Sequence, residues 1–340
     1  MASVPDIRSC EKKLWDSSNL RKYCLNFEEV PRLFYDDPRV DEFICSHKPV
    51  VILGSNLVKP AIDRWSLEYI ERNMGTDVNT VFFSRNHKFK YFDDKKIHSC
   101  NNPRGVEFSP PMRKEEMKIE DFMKRLREWK RGEERLYMQQ SLTSAVGPNI
   151  VQDFIGFNWK WINSKQKAHN WGKLTSNLLY ISMEGNVTPC HYDEQENFFA
   201  EVHGYKRCIL FSPDQFQCMY PYPVHHPHDR QSMVDLEKPD HTKFPKFRDA
   251  KGLEAVIGPG DVLYIPIYWW HHVESLMRLG PTITINFWYK AGPTAIEYPL
   301  RDHQKVSIMR NIEKMLLEVL QDPKEVGPLL RNMVLGRFED

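Results

Sequence analysis

The chain has 340 residues, a formal net charge of +1, 41% hydrophobic and 27% charged residues. That length suits one large domain or two small ones with a substantial core, and the near-zero charge argues against a whole-surface nucleic-acid binder. No apolar run reaches the ~18 residues of a membrane span, and residues 1–15 lack the apolar stretch of a secretory signal.

In chain order, residues 1–30 are polar and poorly periodic, an expected N-terminal arm. Pro49 to Gly54 is a short apolar run ending in glycine, which suits a buried strand. Arg64 to Asn73 reads as a short helix, and Thr80–Phe83 and Leu136–Gln140 read as strands. Met112 to Glu134 places Met117, Ile119, Phe122, Met123, Leu126 and Trp129 on a helical period, so one amphipathic surface helix is expected there. From Asn177 onward come eight short strand candidates: 177–183, 187–193, 197–202, 206–211, 254–257, 261–266, 270–274 and 282–288. Gly185, Gly204, Gly258-Pro259-Gly260 and Gly280-Pro281 separate them. Such a series indicates a sandwich or small barrel. Residues 212–251 interrupt it with a long Pro-, His- and Tyr-rich connection. Loops of this length are usually functional or disordered; Phe211, Phe216, Tyr220 and Tyr222 argue for order, and a substrate-covering flap is expected. After Trp288, two amphipathic stripes follow, Val306 to Leu320 and Val326 to Val334. Their apolar faces are equally suited to packing on their own sheet and to dimerisation. The resulting division is an arm over 1–30, a β domain over 31–290 and C-terminal helices over 291–340.

Seven cysteines are present: Cys10, Cys24, Cys45, Cys100, Cys190, Cys208 and Cys218. None forms a C-x-x-C pair and the number is odd, so reduced thiols in an intracellular protein are expected.

The chemistry concentrates in His191-Tyr192-Asp193 and the downstream Tyr268-Trp269-Trp270-His271-His272. With 13 histidines in the chain, chance alone supplies H-x-[DE] matches, and His272-Val273-Glu274 is one. Its only downstream histidine, His303, lies in the helical tail. His191 and Asp193 are better placed: an i, i+2 pair on a strand points to one face, and a late strand supplies the third ligand. His271 and His272 point to opposite faces, and spacing does not decide between them. Two imidazoles and a carboxylate suit non-haem Fe(II), leaving three positions for a chelating 2-oxo acid and O₂; catalytic zinc keeps a single open position. The far carboxylate of such an acid needs a buried cation. Lys206 is one candidate, although Gly204-Tyr205-Lys206 equally fits a solvent-exposed hairpin.

The runs Gly185-Asn186-Val187-Thr188-Pro189, His191-Tyr192-Asp193-Glu194, Phe198-Phe199-Ala200, Gly204 to Phe211 and Gly258 to Pro266 resemble JmjC-type 2-oxoglutarate oxygenases. Tyr220 to Pro227, Tyr268 to His272, Asn286 to Lys290 and the tail from Gln304 to Leu316 resemble the branch that hydroxylates asparagine in hypoxia-inducible factor α. The likeness runs from about Trp15 to the C-terminus. It implies a mainly β fold, a double-stranded β-helix (the cupin or JmjC jelly roll), with a C-terminal helical dimerisation segment. It implies Fe(II) held by His191, Asp193 and His271, supported by ascorbate. It assigns the 2-oxoglutarate contacts to Lys206, Tyr137, Thr188, Asn197 and Asn286, and the substrate contacts to Tyr91, Gln139, Asp193, Arg230, Gln231 and Trp288. It further implies a homodimer of cytoplasm and nucleus, with the hypoxia-inducible factor α C-terminal activation domain and ankyrin-repeat proteins as partners, and with neither nucleic acid nor membrane bound directly. Residues 1–12 match nothing in that branch, and Ser144 stands where an acidic residue is expected near the substrate groove. Three rival readings stand beside it: a JmjC lysine demethylase, which shares the iron site; a catalytically silent binding module, which predicts a broken triad or a missing Lys206 where both are intact here; and a zinc cupin, which metal analysis separates.

Overall fold

The computed structural model describes residues 14–75, 78–99, 108–293, 298–335 and 337. Cys10 and Cys100 lie outside them, as do residues 1–13 of the expected arm and the side chain of Ser144. The strands are β1 (Phe27–Glu29), β2 (Arg32–Phe34), β3 (Val50–Leu53), β4 (Asn79–Ser84), β5 (Arg113–Met117), β6 (Arg135–Ser141), β7 (Leu174–Ser182), β8 (Val187–His191), β9 (Glu196–His203), β10 (Lys206–Phe211), β11 (Gly252–Ile257), β12 (Val262–Ile265), β13 (Trp270–Ser275) and β14 (Thr282–Tyr289). The helices are α1 (Arg39–Cys45), α2 (Lys59–Arg64), α3 (Leu67–Asn73), α4 (Asp94–Ser99), α5 (Ile119–Glu128), α6 (Pro148–Ile155), α7 (Trp159–Ala168), α8 (Phe216–Met219), α9 (Asp302–Leu320) and α10 (Pro323–Val334).

Two mixed sheets face each other as a jelly roll. The smaller runs β1-β11-β10-β13-β8 and the larger β2-β3-β12-β9-β14-β7-β6-β4-β5. Consecutive strands from β7 to β10 alternate between the sheets, so each short turn is a crossing. The Gly204-Tyr205 turn is one of them and not a solvent-exposed hairpin, because β9 and β10 belong to different sheets. Gly204 has φ +78°, and a Cβ there would lie 2.8 Å from the Pro281 carbonyl oxygen, so both backbone and space require glycine.

Strand periodicity sorts the side chains into layers. On β9, Phe198, Ala200 and Val202 join a core with Ile70, Phe122, Ile150 and Ile162 of the helices outside the larger sheet. The alternate residue Phe199 packs between the sheets with Val51, Cys208, Leu210, Leu263 and Val273. Asn197 and Glu201 share that inner face and are buried. Fully burying one such aliphatic or aromatic side chain contributes roughly 1.5–3 kcal/mol, and these layers fix the strand register.

Three expectations change. Residues 112–134 are not one helix: Arg113–Met117 is strand β5 on the open edge of the larger sheet, and only Ile119–Glu128 is helical. The charged sequence Arg-Lys-Glu-Glu protects that edge from pairing with other chains, and the helical stripe starts at Ile119. The 212–251 connection is a packed layer more than a flap. Met219, Val234, Leu236, Phe244 and Phe247 bury against Ile209, Phe211 and Trp270 on the outside of the smaller sheet. Residues 14–30 are tied down: β1 pairs in parallel with β11, and the Arg21 guanidinium donates to the Gly185 carbonyl at 2.6 Å. Helices α6 and α7 carry no expectation from the sequence reading. They are short and close the larger sheet's outer core through Ile150 and Ile162. No described helix is long and apolar enough to cross a membrane.

Helix α9 is pinned to the insert by charge. The buried Arg310 guanidinium donates to both Asp229 oxygens (2.8 and 3.0 Å), to Glu194 Oε1 at 2.8 Å and to the Tyr192 hydroxyl at 2.7 Å. Burial works to raise the Asp229 and Glu194 carboxyls, but the Arg310 contacts, joined at Asp229 by the Lys96 ammonium, outweigh it and hold both below their usual values. Removing one partner of such a buried pair leaves an uncompensated charge. Arg310→Ala is expected to lower stability by about 3 kcal/mol in urea unfolding. Because the two carboxyls are depressed, their contribution is complete above about pH 4 and fades as pH falls through their lowered values. Wild type should therefore lose stability on acidification more steeply than Arg310→Ala.

Candidate metal centre

His191, Asp193 and His271 each bring a ligand atom into one cluster, with all three atoms within 4.8 Å of one another. The placement follows from strand pairing. His191 ends β8 and sits directly across from His271 at the start of β13. A register irregularity follows between His271 and Val273, so the two imidazoles converge at one end of the sheet, ring centroids 4.2 Å apart. Asp193 lies just beyond β8, where the backbone N–H of Tyr268 donates to its carbonyl at 2.9 Å.

Both histidines are oriented by the same device. His191 Nδ1–H donates to the Pro189 carbonyl and His271 Nδ1–H to the Trp269 carbonyl, each at 2.9 Å. That commits the proton to Nδ1 and leaves each Nε2 lone pair facing the cluster. Burial, followed by the neighbouring His271, pushes the His191 imidazole down to about 3, which keeps it in the neutral form that binds metal. Burial alone raises the Asp193 carboxyl. The imidazoles, Arg230 and the Trp288 N–H outweigh it, so the group stays below its ordinary value. Its oxygens accept from Arg230 Nη1 at 3.1 Å and Trp288 Nε1 at 3.2 Å.

His272 points out of the sheet, where Nε2 meets the Tyr23 hydroxyl at 3.0 Å. The competing pair His272 and Glu274 therefore belongs to an outer network with Arg207 and Tyr23. Cys190 also faces outward. It is buried, and burial raises its thiol, which disfavours the thiolate form.

Behind the cluster lies a polar interior. Lys206 is 3% exposed, and its Nζ lies 5.4 Å from the Phe199 ring and 6.0 Å from the Tyr137 ring. The Tyr137 hydroxyl is hydrogen-bonded to Thr188 and its acidity is lowered by burial. The side-chain oxygens Asn197 Oδ1, Asn286 Oδ1, Glu201 Oε1 and Gln231 Oε1 are buried without a hydrogen-bond partner. Orphaned polar atoms at that depth cost about 1–3 kcal/mol each unless something else meets them. Two free Nε2 atoms, a carboxylate, a buried ammonium and these unpaired groups fit a divalent metal with a chelating dicarboxylic acid.

At the mouth, Arg230 adopts φ +69° and Gln231 forms a backbone bridge with His191. Arg230, Tyr91, Glu194, Lys290 and Lys314 line a cleft of about 630 Å³. Gln139 is half-buried on β6, two residues from Tyr137 and so on the same face. The structure thus gathers His191, Asp193, His271, Arg230, Gln231 and Trp288 at one point, with Tyr137, Thr188, Asn197, Asn286 and Lys206 in the interior and Tyr91 at the mouth. Sequence reasoning missed Glu201, Thr284 and Arg310. The signal for Glu201 was present, as an acid in phase with Asn197 and Phe199 on an otherwise apolar strand.

Residues 38–295 match the cupin-like domain model. The chain belongs to the cupin-like family. Among curated proteins it is 27% identical over 249 residues to lysine-specific demethylase 8 of Xenopus tropicalis, covering 73% of this chain and 49% of that protein. It is 41% identical over 99 residues to JmjC domain-containing protein D of Dictyostelium discoideum, covering 29% and 22%. It is 37% identical over 114 residues to human HSPB1-associated protein 1, covering 32% and 22%. The chain spans about half the length of the first of these relatives and less of the other two.

Metal addition separates the two adjacent histidines. Fe(II) under anaerobic conditions, at about 100 times its dissociation constant, is expected to stabilise the protein by about 2.7 kcal/mol. In thermal unfolding that response should vanish in His191→Ala and His271→Ala and persist in His272→Ala. A response lost in His272→Ala and kept in His271→Ala would reverse the assignment.

Proposed function

We propose that this cupin-like protein is an Fe(II)- and 2-oxoglutarate-dependent protein hydroxylase that acts on the β-carbon of asparagine. The observation that carries the reading is the convergence of His191, Asp193 and His271, both imidazoles tautomerically committed, in front of a buried Lys206. JmjC-type cupins are Fe(II)/2-oxoglutarate oxygenases, and the relatives named for JmjC domains and demethylation support that class. The choice of asparagine rests on the resemblance of Tyr220 to Pro227, Tyr268 to His272, Asn286 to Lys290 and the tail from Gln304 to Leu316 to factor inhibiting HIF, the asparaginyl hydroxylase of hypoxia-inducible factor α. Under this reading the substrates are its C-terminal activation domain and ankyrin-repeat proteins, and the protein works in cytoplasm and nucleus.

Under this reading His191, Asp193 and His271 would hold the metal. When bound, iron and 2-oxoglutarate supply O₂ activation, with succinate and CO₂ as co-products. Lys206 anchors the distal carboxylate by a charge-assisted bond, joined by the Tyr137 and Thr188 hydroxyls. Asn197 and Asn286 present amide groups beside it. Arg230 both holds Asp193 and, with Gln231, grips the target side-chain amide, which offers a donor and an acceptor at once. Tyr91, Gln139 and Trp288 shape the groove that places the target C–H bond.

A lysine-demethylase reading is favoured by the relative bearing that name. Mass spectrometry decides between them. A hypoxia-inducible factor C-terminal peptide incubated with Fe(II), 2-oxoglutarate and ascorbate in air should gain one oxygen on asparagine. His191→Ala should give none, and Arg230→Ala should cost on the order of 10²-fold in kcat/KM. Methyl loss from methyl-lysine peptides, with no oxygen gained on asparagine, would favour the demethylase.

The reading also includes a homodimer. In α9 and α10 one stripe, Val306, Leu316 and Val326, is buried, while Ile308, Met309, Ile312, Met315, Val319, Leu330, Met333 and Val334 stay exposed. An apolar face of that extent on two helices suits a second copy of the same surface. Val319→Arg is expected to halve the mass found by sedimentation; an unchanged mass would sink the α9–α10 interface.

A further inference from the structure

Among the described residues, Glu201 is the one acid of the barrel interior that the mechanism above does not use. It is completely buried on the inner face of β9. The β9–β14 register shifts next to Thr284 and sets it opposite Glu201, and the Thr284 hydroxyl donates to Glu201 Oε2 at 2.9 Å. Oε1 is left buried without a partner. The charged and titratable groups around it are Lys206 and Cys208 of β10, Asp261 just before β12 and Tyr137 of β6. Among the described residues the Lys206 ammonium has neither a hydrogen bond nor an ion pair, and the largest compensation of its charge comes from this carboxyl.

Resting on the reading of Lys206 as the anchor of a 2-oxo dicarboxylic acid, we propose that Glu201 is a specificity-determining residue of that site, which must carry a proton for the dianionic acid to bind. An ionised Glu201 already offsets the Lys206 charge within the buried interior, without direct contact. Bringing in a further carboxylate would place two anions on one buried cation, and like charges in such a site do not both stay ionised. A protonated Glu201 reverses the sign of the effect. Thr284 holds Oε2, the proton sits on Oε1, and the incoming carboxylate meets two donors, the Lys206 ammonium and the Glu201 hydroxyl. Burial, only partly offset by Lys206, pushes this carboxyl up to about 8, so the receptive form prevails at neutral pH and is lost above it. The same geometry ranks ligands: an acid tail is favoured when Glu201 is protonated, and a neutral amide tail when it is ionised and accepts the amide N–H.

The test is isothermal titration of 2-oxoglutarate into Mn(II)-loaded protein across roughly pH 6.5 to 9.5, in buffers of different ionisation enthalpy. Wild type is expected to lose about tenfold in affinity per pH unit above about 8 and to take up about one proton there on binding. Glu201→Gln keeps a donor and removes the proton, so it should bind with little dependence on pH over that range. Equal pH dependence and proton uptake in Glu201→Gln would trace the effect to Lys206 itself and overturn the assignment. Should Glu201→Gln fail to fold, wild type with 2-oxoglutaramate, the neutral-tailed analogue, decides. Its affinity should rise through the pH range in which that of 2-oxoglutarate falls, and a parallel fall would overturn the proposal. Absence of 2-oxoglutarate binding to wild type at every pH would instead remove the oxygenase reading, and the Glu201 role with it.

Discussion

The antiparallel pairing of β8 with β13 is the contact on which the site depends. It sets His191 directly across from His271 and, through the irregularity that follows, closes their rings to 4.2 Å. Side chains alternate along a strand, so a slip of one residue would bring His272 inward and turn His271 out. Two layers prevent that slip. Val273 is held between the sheets, and Trp270 is buried in the outer layer against Tyr192. The two imidazoles of the cluster are thus positioned by apolar packing on both faces of one strand. The hydrogen bonds to the Pro189 and Trp269 carbonyls then set only the ring rotation and tautomer.

The interior behind that pair runs against the usual economy of a core. Lys206, Glu201, Asn197 and Asn286 are all buried, and several of their polar atoms meet nothing. A core selected for stability alone would fill such space with aliphatic side chains, as the layer around Phe199 and Leu263 does. Polarity concentrated at one depth, next to a ligand cluster, is the arrangement of a receptor for a charged small molecule. The surrounding scaffold compensates. Arg310 reaches from α9 to Glu194, beside Asp193, and to Asp229, beside Arg230. One buried guanidinium thereby links the C-terminal helices to both edges of the mouth.

Much of this was legible beforehand where local chemistry is strongly patterned. The eight strands from β7 to β14 follow from alternating apolar runs between glycine-bearing turns, and each lies within a few residues of its expected place. Helix α9 was readable from its stripe. Arg113–Met117 was not, because a charged edge strand next to a helix with Met117 in phase imitates one longer helix. Helices α6 and α7 were missed because they are short and aromatic-rich, and their helicity depends on packing against the larger sheet.

At the site, residue identity and strand period were enough for the donor types, the i, i+2 pair of His191 and Asp193, and the existence of a late histidine. Three things were decided only in the tertiary structure. His271 and not His272 faces the cluster, Lys206 is buried behind it and not exposed on a hairpin, and Glu201 and Thr284 meet across two strands. Each depends on which sheet a strand enters and at what register. Those are set by side chains far apart in the chain filling one interior, which no local spacing encodes.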